Sequence, residues 1–281
     1  MTTRRPVTRV RIEGPDAGMH DRADTLAVEE PLEIRLLHAG APEGEPFTVT
    51  MRTPGHDLEL ALGFLLGDGV ITSADDVTAA RHCPDAALDA DGNPTYNVVE
   101  VGLARQVAPP SRALARRVSS ACGICGTESI DQVRDRCTTD VSADDIRLDA
   151  AVLATLPDRL REGQRAFART GGVHAAGLFT PDGELLCLRE DVGRHNAVDK
   201  VVGWALQQGR LPLTGAVLQV SGRASFELVQ KAVTAGCPML AAVSAPSSLA
   251  VDLASETGLT LIGFSRGAGF NIYAGRERIH R

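Results

Sequence analysis

The residues with the clearest chemical potential are two cysteines that stand three positions apart between glycines. Cys122 and Cys125 belong to the stretch Ser119-Ser120-Ala121-Cys122-Gly123-Ile124-Cys125-Gly126 (CGICG below), in a chain with only six cysteines among 281 residues. Glycine takes backbone conformations closed to other residues, so the glycine after each thiol lets a sulfur approach another molecule closely. The pair suits a metal site, a disulfide, a redox couple or a nucleophile that handles sulfur.

Each alternative makes a different demand on the surrounding sequence. A structural zinc site usually takes four ligands, commonly two CxxC or CxxH pairs, and no second pair stands at that spacing here. A thioredoxin-like couple opens a helix after a strand, whereas a basic stretch with Arg116 and Arg117 precedes this pair. Thiolate attack on a persulfide is the same elementary step as thiol–disulfide exchange, and both arginines favour the thiolate. The pattern favours a sulfur-handling nucleophile, with zinc, redox exchange and two inert loop cysteines left open.

Composition indicates an ordinary globular protein. Hydrophobic residues make up 43% and charged residues 23% of the chain, and the net charge of −7 gives no general attraction to nucleic acid or anionic membranes. No apolar run approaches the roughly 20 residues that span a bilayer, and the N-terminus lacks the apolar core of a secretory signal. We therefore expect a cytoplasmic protein, in which thiols stay reduced and a CxxC is rarely a structural disulfide.

The other cysteines and the basic N-terminus predict no chemistry of their own. Free cysteine is among the most buried residue types, so each single cysteine is expected to be a small core side chain. The arginines of the first eleven residues predict a solvated arm. These cysteines are Cys83, Cys137, Cys187 and Cys237, and the arginines are Arg4, Arg5, Arg9 and Arg11.

Residues 1–110 predict a small α+β domain, and residues 111–148 a mobile linker that carries CGICG. Short runs rich in Val, Leu, Ile and Thr predict strands, and the leucines of His56–Leu66 lie on one face of a predicted helix. Ala79–Pro94 is rich in Asp, Pro and Gly and predicts a surface loop. The predicted strands are Val7–Ile12, Thr25–Val28, Leu32–Leu37, Phe47–Met51 and Thr95–Leu103.

Residues 149–281 predict an α/β domain, because helices and strands alternate there after an opening hairpin. Such alternation implies a sheet layered by helices, with parallel strand pairs. The predicted helices are Ala151–Arg161, His195–Gln208, Ala224–Ala235 and Ser247–Thr257. The predicted strands are Val173–Thr180, Glu184–Arg189, Ala216–Val220, Met239–Val243 and Leu259–Phe264.

Three further motifs follow CGICG in a fixed order. They are TGGVHAA at residues 170–176, EDVGRHNAVDK at 190–200 and SGRASFELVQK at 221–231. Together the four motifs resemble the formate dehydrogenase accessory sulfurtransferases, the FdhD family, from near Glu30 to about Tyr273. EDVGRHNAVDK is the most specific of them, whereas CGICG alone would be a weak signal.

The resemblance implies a carrier that accepts persulfide sulfur from a cysteine desulfurase. It implies delivery to the molybdenum or tungsten bis(molybdopterin guanine dinucleotide) cofactor before its insertion into formate dehydrogenase. By position, Cys122 matches the persulfide-carrying cysteine and Cys125 its companion. The cofactor-binding segment, with its guanine nucleotide, falls on Phe264, Ser265, Arg266, Gly267, Ala268 and Gly269, where Gly-Ala-Gly replaces the Pro-Gly that members often carry. The resemblance also implies a homodimer and a C-terminal domain similar to cytidine deaminases. No catalytic zinc is expected, because no second pair of metal ligands accompanies CGICG.

The residues themselves are compatible with this placement. Glycines after a strand let backbone N–H groups approach phosphate oxygens, and Arg266 can pair with a phosphate through two hydrogen bonds. Helix starts near Arg194 and Ser225 are natural anion sites, and we expect Arg194, Arg223 and Lys231 to help hold the diphosphates. The plain alternative for EDVGRHNAVDK is a capped, salt-laced helix. His174, inside a strand, is expected to be a core histidine.

Two other functions make different demands on the sequence. A zinc deaminase needs H-x-E at one helix start and P-C-x-x-C at the next, whereas Ala197 replaces the glutamate and the metal cysteines are missing. Deamination is therefore not expected. A chaperone that binds the cofactor without moving sulfur is the remaining alternative.

Overall fold

The computed structural model of the chain describes residues 2–83, 92, 94–105, 133 and 138–281, and CGICG lies outside them. The described residues form a mixed α/β fold. Its strands are β1 (Thr2–Arg11), β2 (Gly18–Ala27), β3 (Glu30–Leu37), β4 (Glu45–Arg52), β5 (Val77–His82), β6 (Val98–Leu103), β7 (Leu148–Asp149), β8 (His174–Phe179), β9 (Leu185–Asp191), β10 (Val217–Val220), β11 (Met239–Ala242), β12 (Thr260–Arg266), β13 (Gly269–Ala274) and β14 (Ile279–His280). Its helices are α1 (Asp57–Gly67), α2 (Ala150–Gly163), α3 (Arg165–Thr170), α4 (Arg194–Gln207), α5 (Phe226–Thr234) and α6 (Ser248–Thr257).

A six-stranded sheet organises the C-terminal half, with the strand order β13-β12-β11-β10-β8-β9. Strands β10, β11 and β12 are parallel, and β8, β9 and β13 run antiparallel to their neighbours. The parallel strands are short and almost wholly buried, as expected for strands covered on both faces. The predicted alternation of helices and strands, with parallel pairs after a hairpin, is confirmed.

Helices cover both faces of this sheet. Leu153, Leu156 and Leu160 of α2 recur at helical spacing and pack in one buried cluster with β8, β10, β11 and β12. The side chain of Asp149 accepts a hydrogen bond from Ala151 N at 2.6 Å, which fixes the start of α2. Helices α4, α5 and α6 pack on the opposite face. None of the described helices is long and apolar enough to cross a membrane.

The N-terminal half forms a second, four-stranded sheet with the order β4-β3-β6-β5. Helix α1 packs on this sheet and crosses α4 closely, because glycines stand at both contact points. A Cβ on Gly63 would lie 1.9 Å from the carbonyl oxygen of Asp199, and one on Gly203 would lie 1.8 Å from that of Glu59. One buried cluster extends from β3 and α1 to α4 and α5. The division at residues 110 and 148 stays a prediction.

We expect Gly63→Ala and Gly203→Ala to destabilise the protein by about 1–3 kcal/mol each, because each methyl group would force two backbones apart. Urea unfolding would measure the loss. Gly269→Ala is the control, since a Cβ there meets no atom within 4 Å. Equal stability of the two helix variants and the control would contradict the close crossing.

Two of the predicted elements differ from the structure, and one strand was not predicted. The loop predicted at Ala79–Pro94 is wrong at its start, because β5 runs to His82 and pairs with β6; the Arg81–Glu100 ion pair at 2.7 Å joins the strands. The N-terminal arm is exposed but not free, since β1 and β2 form a ten-pair hairpin. Strand β13 was missed because Gly267 and Ala268 reverse the chain in two residues.

Candidate functional site

A cleft of about 570 Å³ opens where the parallel strands end. Ser221 follows β10, Val243 follows β11 and Arg266 ends β12, and all three line the cleft. His174 begins the antiparallel β8 at the same edge. Ligands of open α/β sheets bind outside the carboxyl ends of the strands, and this volume is ordinary for a small-molecule site. The motifs TGGVHAA, EDVGRHNAVDK and SGRASFELVQK therefore meet the predicted segment 264–269 in one cleft.

Segment 264–269 forms the tight hairpin between β12 and β13. Gly267 (φ 58°) stands first in the two-residue turn, a position that favours glycine. Phe264 also has a positive φ of 53°, at an irregular point of the strand pairing, and the Arg266 guanidinium lies 5.6 Å from its ring centre. Ser265 is fully buried, and its hydroxyl has no hydrogen-bond partner. Arg266 and Gly267 are the members of this segment that line the cleft.

His174 lies in the cleft wall and is only half-buried. The prediction of a core histidine at this position is therefore wrong. Burial lowers the pKa of His174, and the positive charges of Arg194 and His195 lower it further. Gly222 stands beside it: a Cβ there would lie 3.4 Å from His174 Nδ1 and 3.8 Å from Arg194 Cδ. The Nε of Arg194 is buried without a partner. A histidine with a lowered pKa and an arginine with an unpaired Nε thus stand close to Gly222.

Much of EDVGRHNAVDK serves the interior. Asp191 is fully buried and accepts hydrogen bonds from Lys200 Nζ at 2.6 Å, Asn196 Nδ2 at 3.0 Å and Thr53 N at 3.1 Å. Lys200 Nζ also donates to the carbonyl oxygen of Thr53 at 2.9 Å. This network fixes the connection between β4 and α1 to the start of α4. For these residues the structure agrees better with the capped, salt-laced helix than with a binding site, although the salt bridge is buried.

Two further groups of polar residues from these motifs do not line the cleft. His195 Nε2 is 3.2 Å from Ser225 Oγ and 2.8 Å from Glu227 Oε2, and this hydrogen bond lowers the pKa of Glu227. Lys231 pairs with Asp199 at 2.6 Å, under α1, and does not line the cleft. Lys231 is therefore committed to the interior and is not available for diphosphates, contrary to expectation.

The chain enters the C-terminal half at the amino ends of the parallel strands, away from the cleft. Gly215 N, just before β10, donates to the Asp144 carboxylate at 2.8 Å, and Thr139 packs beside Gly236, just before β11. Residues near 140 therefore lie along the amino ends of the parallel strands. Roughly 14 residues separate Thr139 from Cys125, a length of chain that spans at most about 50 Å when fully extended.

The model of the FdhD/NarQ family matches residues 27–280. The chain belongs to the FdhD/NarQ family. The match begins at the last residue of β2, so the β1–β2 hairpin lies almost wholly outside it.

Relatives of this FdhD/NarQ chain align over nearly its whole length. A protein of Streptomyces avermitilis named "Sulfur carrier protein FdhD" is 57% identical and covers 99% of this chain and 96% of its own. One of the same name from Sulfurisphaera tokodaii is 44% identical over 91% and 92%. The crystal structure of a proposed formate dehydrogenase accessory protein from Desulfotalea psychrophila has a TM-score of 0.73 at 24% identity, covering 99% of both chains. That structure shows the same fold.

The cysteines of this family member divide by burial. Cys187 and Cys237 are buried as predicted, and burial raises the pKa of each to about 12. Cys83 is half-buried, and its pKa is also raised, chiefly by burial. Cys122, Cys125 and Cys137 lie outside the described residues. The described residues hold no cluster of three or more potential metal ligands.

One wall of the cleft was not found from the sequence. Asp158, Arg161, Gln164 and Phe167, on α2 and at the start of α3, all line the cleft. Asp158 and Arg161 are three residues apart and so share one side of α2, which is the available signal; Gln164 lies between the two helices and Phe167 in α3. Glu190 of the FdhD/NarQ motif supports this wall: its carboxylate accepts hydrogen bonds from the backbone of α3, including Phe167 N at 2.8 Å.

Proposed function

We propose that this FdhD/NarQ protein is a cytoplasmic sulfur carrier for formate dehydrogenase. It takes persulfide sulfur from a cysteine desulfurase and delivers it to the molybdenum bis(molybdopterin guanine dinucleotide) cofactor. The observation that carries the proposal is the meeting of segment 264–269 with three family motifs in one cleft. The names of the relatives and the description of the Desulfotalea psychrophila protein agree with it. We also propose the homodimer and the cytidine-deaminase-like layout of the C-terminal half that the family resemblance implies.

The cofactor is the substrate of this carrier, and the cleft fits one of its nucleotide ends. Arg266 is exposed at the cleft and has no salt bridge among the described residues, so its guanidinium can take a phosphate through two hydrogen bonds. Ser265 retains an unpaired hydroxyl beside it. Gly267 lets a phosphate oxygen approach the backbone N–H groups of the turn. A diphosphate at this edge would also be near Arg194.

Sulfur is transferred in two steps, loading of Cys122 and release of hydrosulfide. The Cys122 thiolate attacks the outer sulfur of the desulfurase persulfide; the S–S bond breaks, and the desulfurase cysteine leaves as a thiolate. Cys122 then carries the persulfide. Attack of the Cys125 thiolate on the Cys122 sulfur forms a disulfide and releases hydrosulfide for the metal. A dithiol reductant restores both thiols. Cys125 shields the persulfide if this second step does not occur.

We expect Arg266→Met to weaken binding of guanosine diphosphate by roughly ten- to a hundredfold, since a hydrogen bond to a charged group contributes about 1.5–3 kcal/mol. Calorimetric titration would measure the affinity. Arg276→Met is the matched control, because Arg276 is exposed after β13 and does not line the cleft. Unchanged affinity in the Arg266 variant would remove Arg266 from the site.

A further inference from the structure

The β1–β2 hairpin stands apart from the other sheets of the protein. Within the part of the chain that the structure describes, its two strands pair only with each other, and residues 8–23 are all exposed. A two-stranded hairpin is at best marginally stable in water, whereas three or more paired strands can hold together. A further strand added to one of its edges would therefore stabilise the hairpin.

The two edges of the hairpin differ in their capacity to accept a strand. Pro6 of β1 has no N–H, and a proline in a strand is tolerated where its nitrogen faces an unpaired edge. Pro6 lies opposite Ala23, so this is a non-hydrogen-bonded pair, in which the backbone groups of both residues point outward. Thr8 Oγ1 donates to Asp21 Oδ1 at 2.7 Å, as expected in such pairs, where side chains lie closest. The edge of β1 is thus blocked at Pro6, whereas that of β2 presents the N–H and C=O of Ala23.

The charges along β2 are complementary to those of a second copy of the same strand. When two identical strands pair antiparallel about a two-fold axis, the residue on the axis faces itself. An axis at Arg22 would place two arginines opposite each other, an axis at Asp21 or Asp24 would oppose two carboxylates, and axes nearer the strand ends would shorten the pairing. With the axis at Ala23, Arg22 of each copy faces Asp24 of the other, and residues 19–27 of both copies can pair.

We propose that β2 pairs with β2 of a second copy about a two-fold axis at Ala23, which gives a four-stranded sheet with the order β1-β2-β2-β1. Backbone hydrogen bonds supply the affinity, as in other interfaces made by strand addition. The pairs between Arg22 and Asp24 stay exposed to water, where an ion pair contributes little, so they set the register of the strands. This inference rests on the homodimer of the proposed function and not on its sulfur chemistry.

Ala23→Pro tests the edge, because it removes an outward N–H and leaves the pairing of β2 with β1 intact. Sedimentation over a range of protein concentrations would measure the dimer dissociation constant. We expect the native chain to form a dimer, and the variant to form it roughly tenfold more weakly. Val10→Pro is the matched control: Val10 is exposed and lies on β1 an even number of residues from Pro6, so its N–H faces the edge that is already blocked. It should associate like the native chain.

Reversal of the charges tests the register. Arg22→Asp places carboxylates opposite each other across the axis and should weaken the dimer roughly fivefold, since like charges directly opposite are destabilising. Asp24→Arg should do the same with two arginines. The double variant Arg22→Asp, Asp24→Arg restores opposite charges and should associate like the native chain. Such a recovery cannot come from misfolding.

The outcomes separate this interface from the rest of the proposed function. An Ala23→Pro variant that dimerises like the native chain would overturn the β2 interface and assign the homodimer to another surface. A double variant as weak as Arg22→Asp alone would overturn the register at Ala23. A monomeric native chain would overturn the homodimer and the inference together, and the sulfur chemistry would still be decided by loading of Cys122.

Discussion

Cys122→Ala is expected to abolish sulfur loading and the activation of formate dehydrogenase. The outer sulfur of a persulfide needs a thiolate acceptor, and Arg116 and Arg117 precede this thiol in sequence. Incubation with a cysteine desulfurase and cysteine, followed by intact mass measurement, should show native protein heavier by one sulfur atom and the variant unchanged. Formate dehydrogenase produced with only the variant present should be inactive.

Cys83→Ala is the control for the loss of a thiol elsewhere and should load sulfur normally, because Cys83 is half-buried and its pKa is raised. A variant at position 122 that gains sulfur like the native protein would contradict the role of Cys122. Active formate dehydrogenase in its presence would support the alternative, a chaperone that binds the cofactor without moving sulfur.

Lys200→Met is expected to lower the free energy of unfolding by about 3–5 kcal/mol, because it leaves the fully buried Asp191 without its positive partner. Urea denaturation would measure the loss. The double variant Asp191→Asn, Lys200→Met should recover part of it, since the amide removes the unpaired charge.

Arg22→Met provides the comparison for an exposed ion pair. Arg22 and Asp24 are 2.8 Å apart on the β1–β2 hairpin, and each side chain is more than 40% exposed. Water screens such a pair, so the change in stability should stay within about 0.5 kcal/mol. A loss below about 1 kcal/mol in Lys200→Met would show that the buried network does not hold the start of α4 in place.

The sequence predicted the C-terminal half well because its signals are local. Buried strands such as Met239–Ala242 and helices ended by glycine, as at Gly258, are visible within a few residues. The sequence also indicated glycines after a strand at residues 267–269, but that this strand end meets those of β10 and β11 in one cleft was found only in the structure. The prediction of a cofactor segment at residues 264–269 needed the family resemblance in addition, and it stays a prediction.

What the sequence could not predict depends on distant partners. Asp191 accepts a hydrogen bond from Thr53, 138 positions earlier, so its motif could not be assigned to the interior from spacing alone. Lys231 was expected at the diphosphates because nothing local indicates its pairing with Asp199. The cleft wall formed by α2 and α3 was missed because Gln164 and Asp158 are polar residues that only the folded sheet brings to a cleft.

The crossing of α1 and α4 has a consequence for how the protein can be divided in experiments. The backbones of the two helices are in contact without intervening side chains. Each helix therefore needs the other to bury its contact face. Removal of the N-terminal half would uncover the glycine face of α4, together with the buried charges of Asp191 and Lys200. Cleft and N-terminal sheet are thus expected to melt in one cooperative transition, and a fragment limited to residues 149–281 would not report on the intact protein.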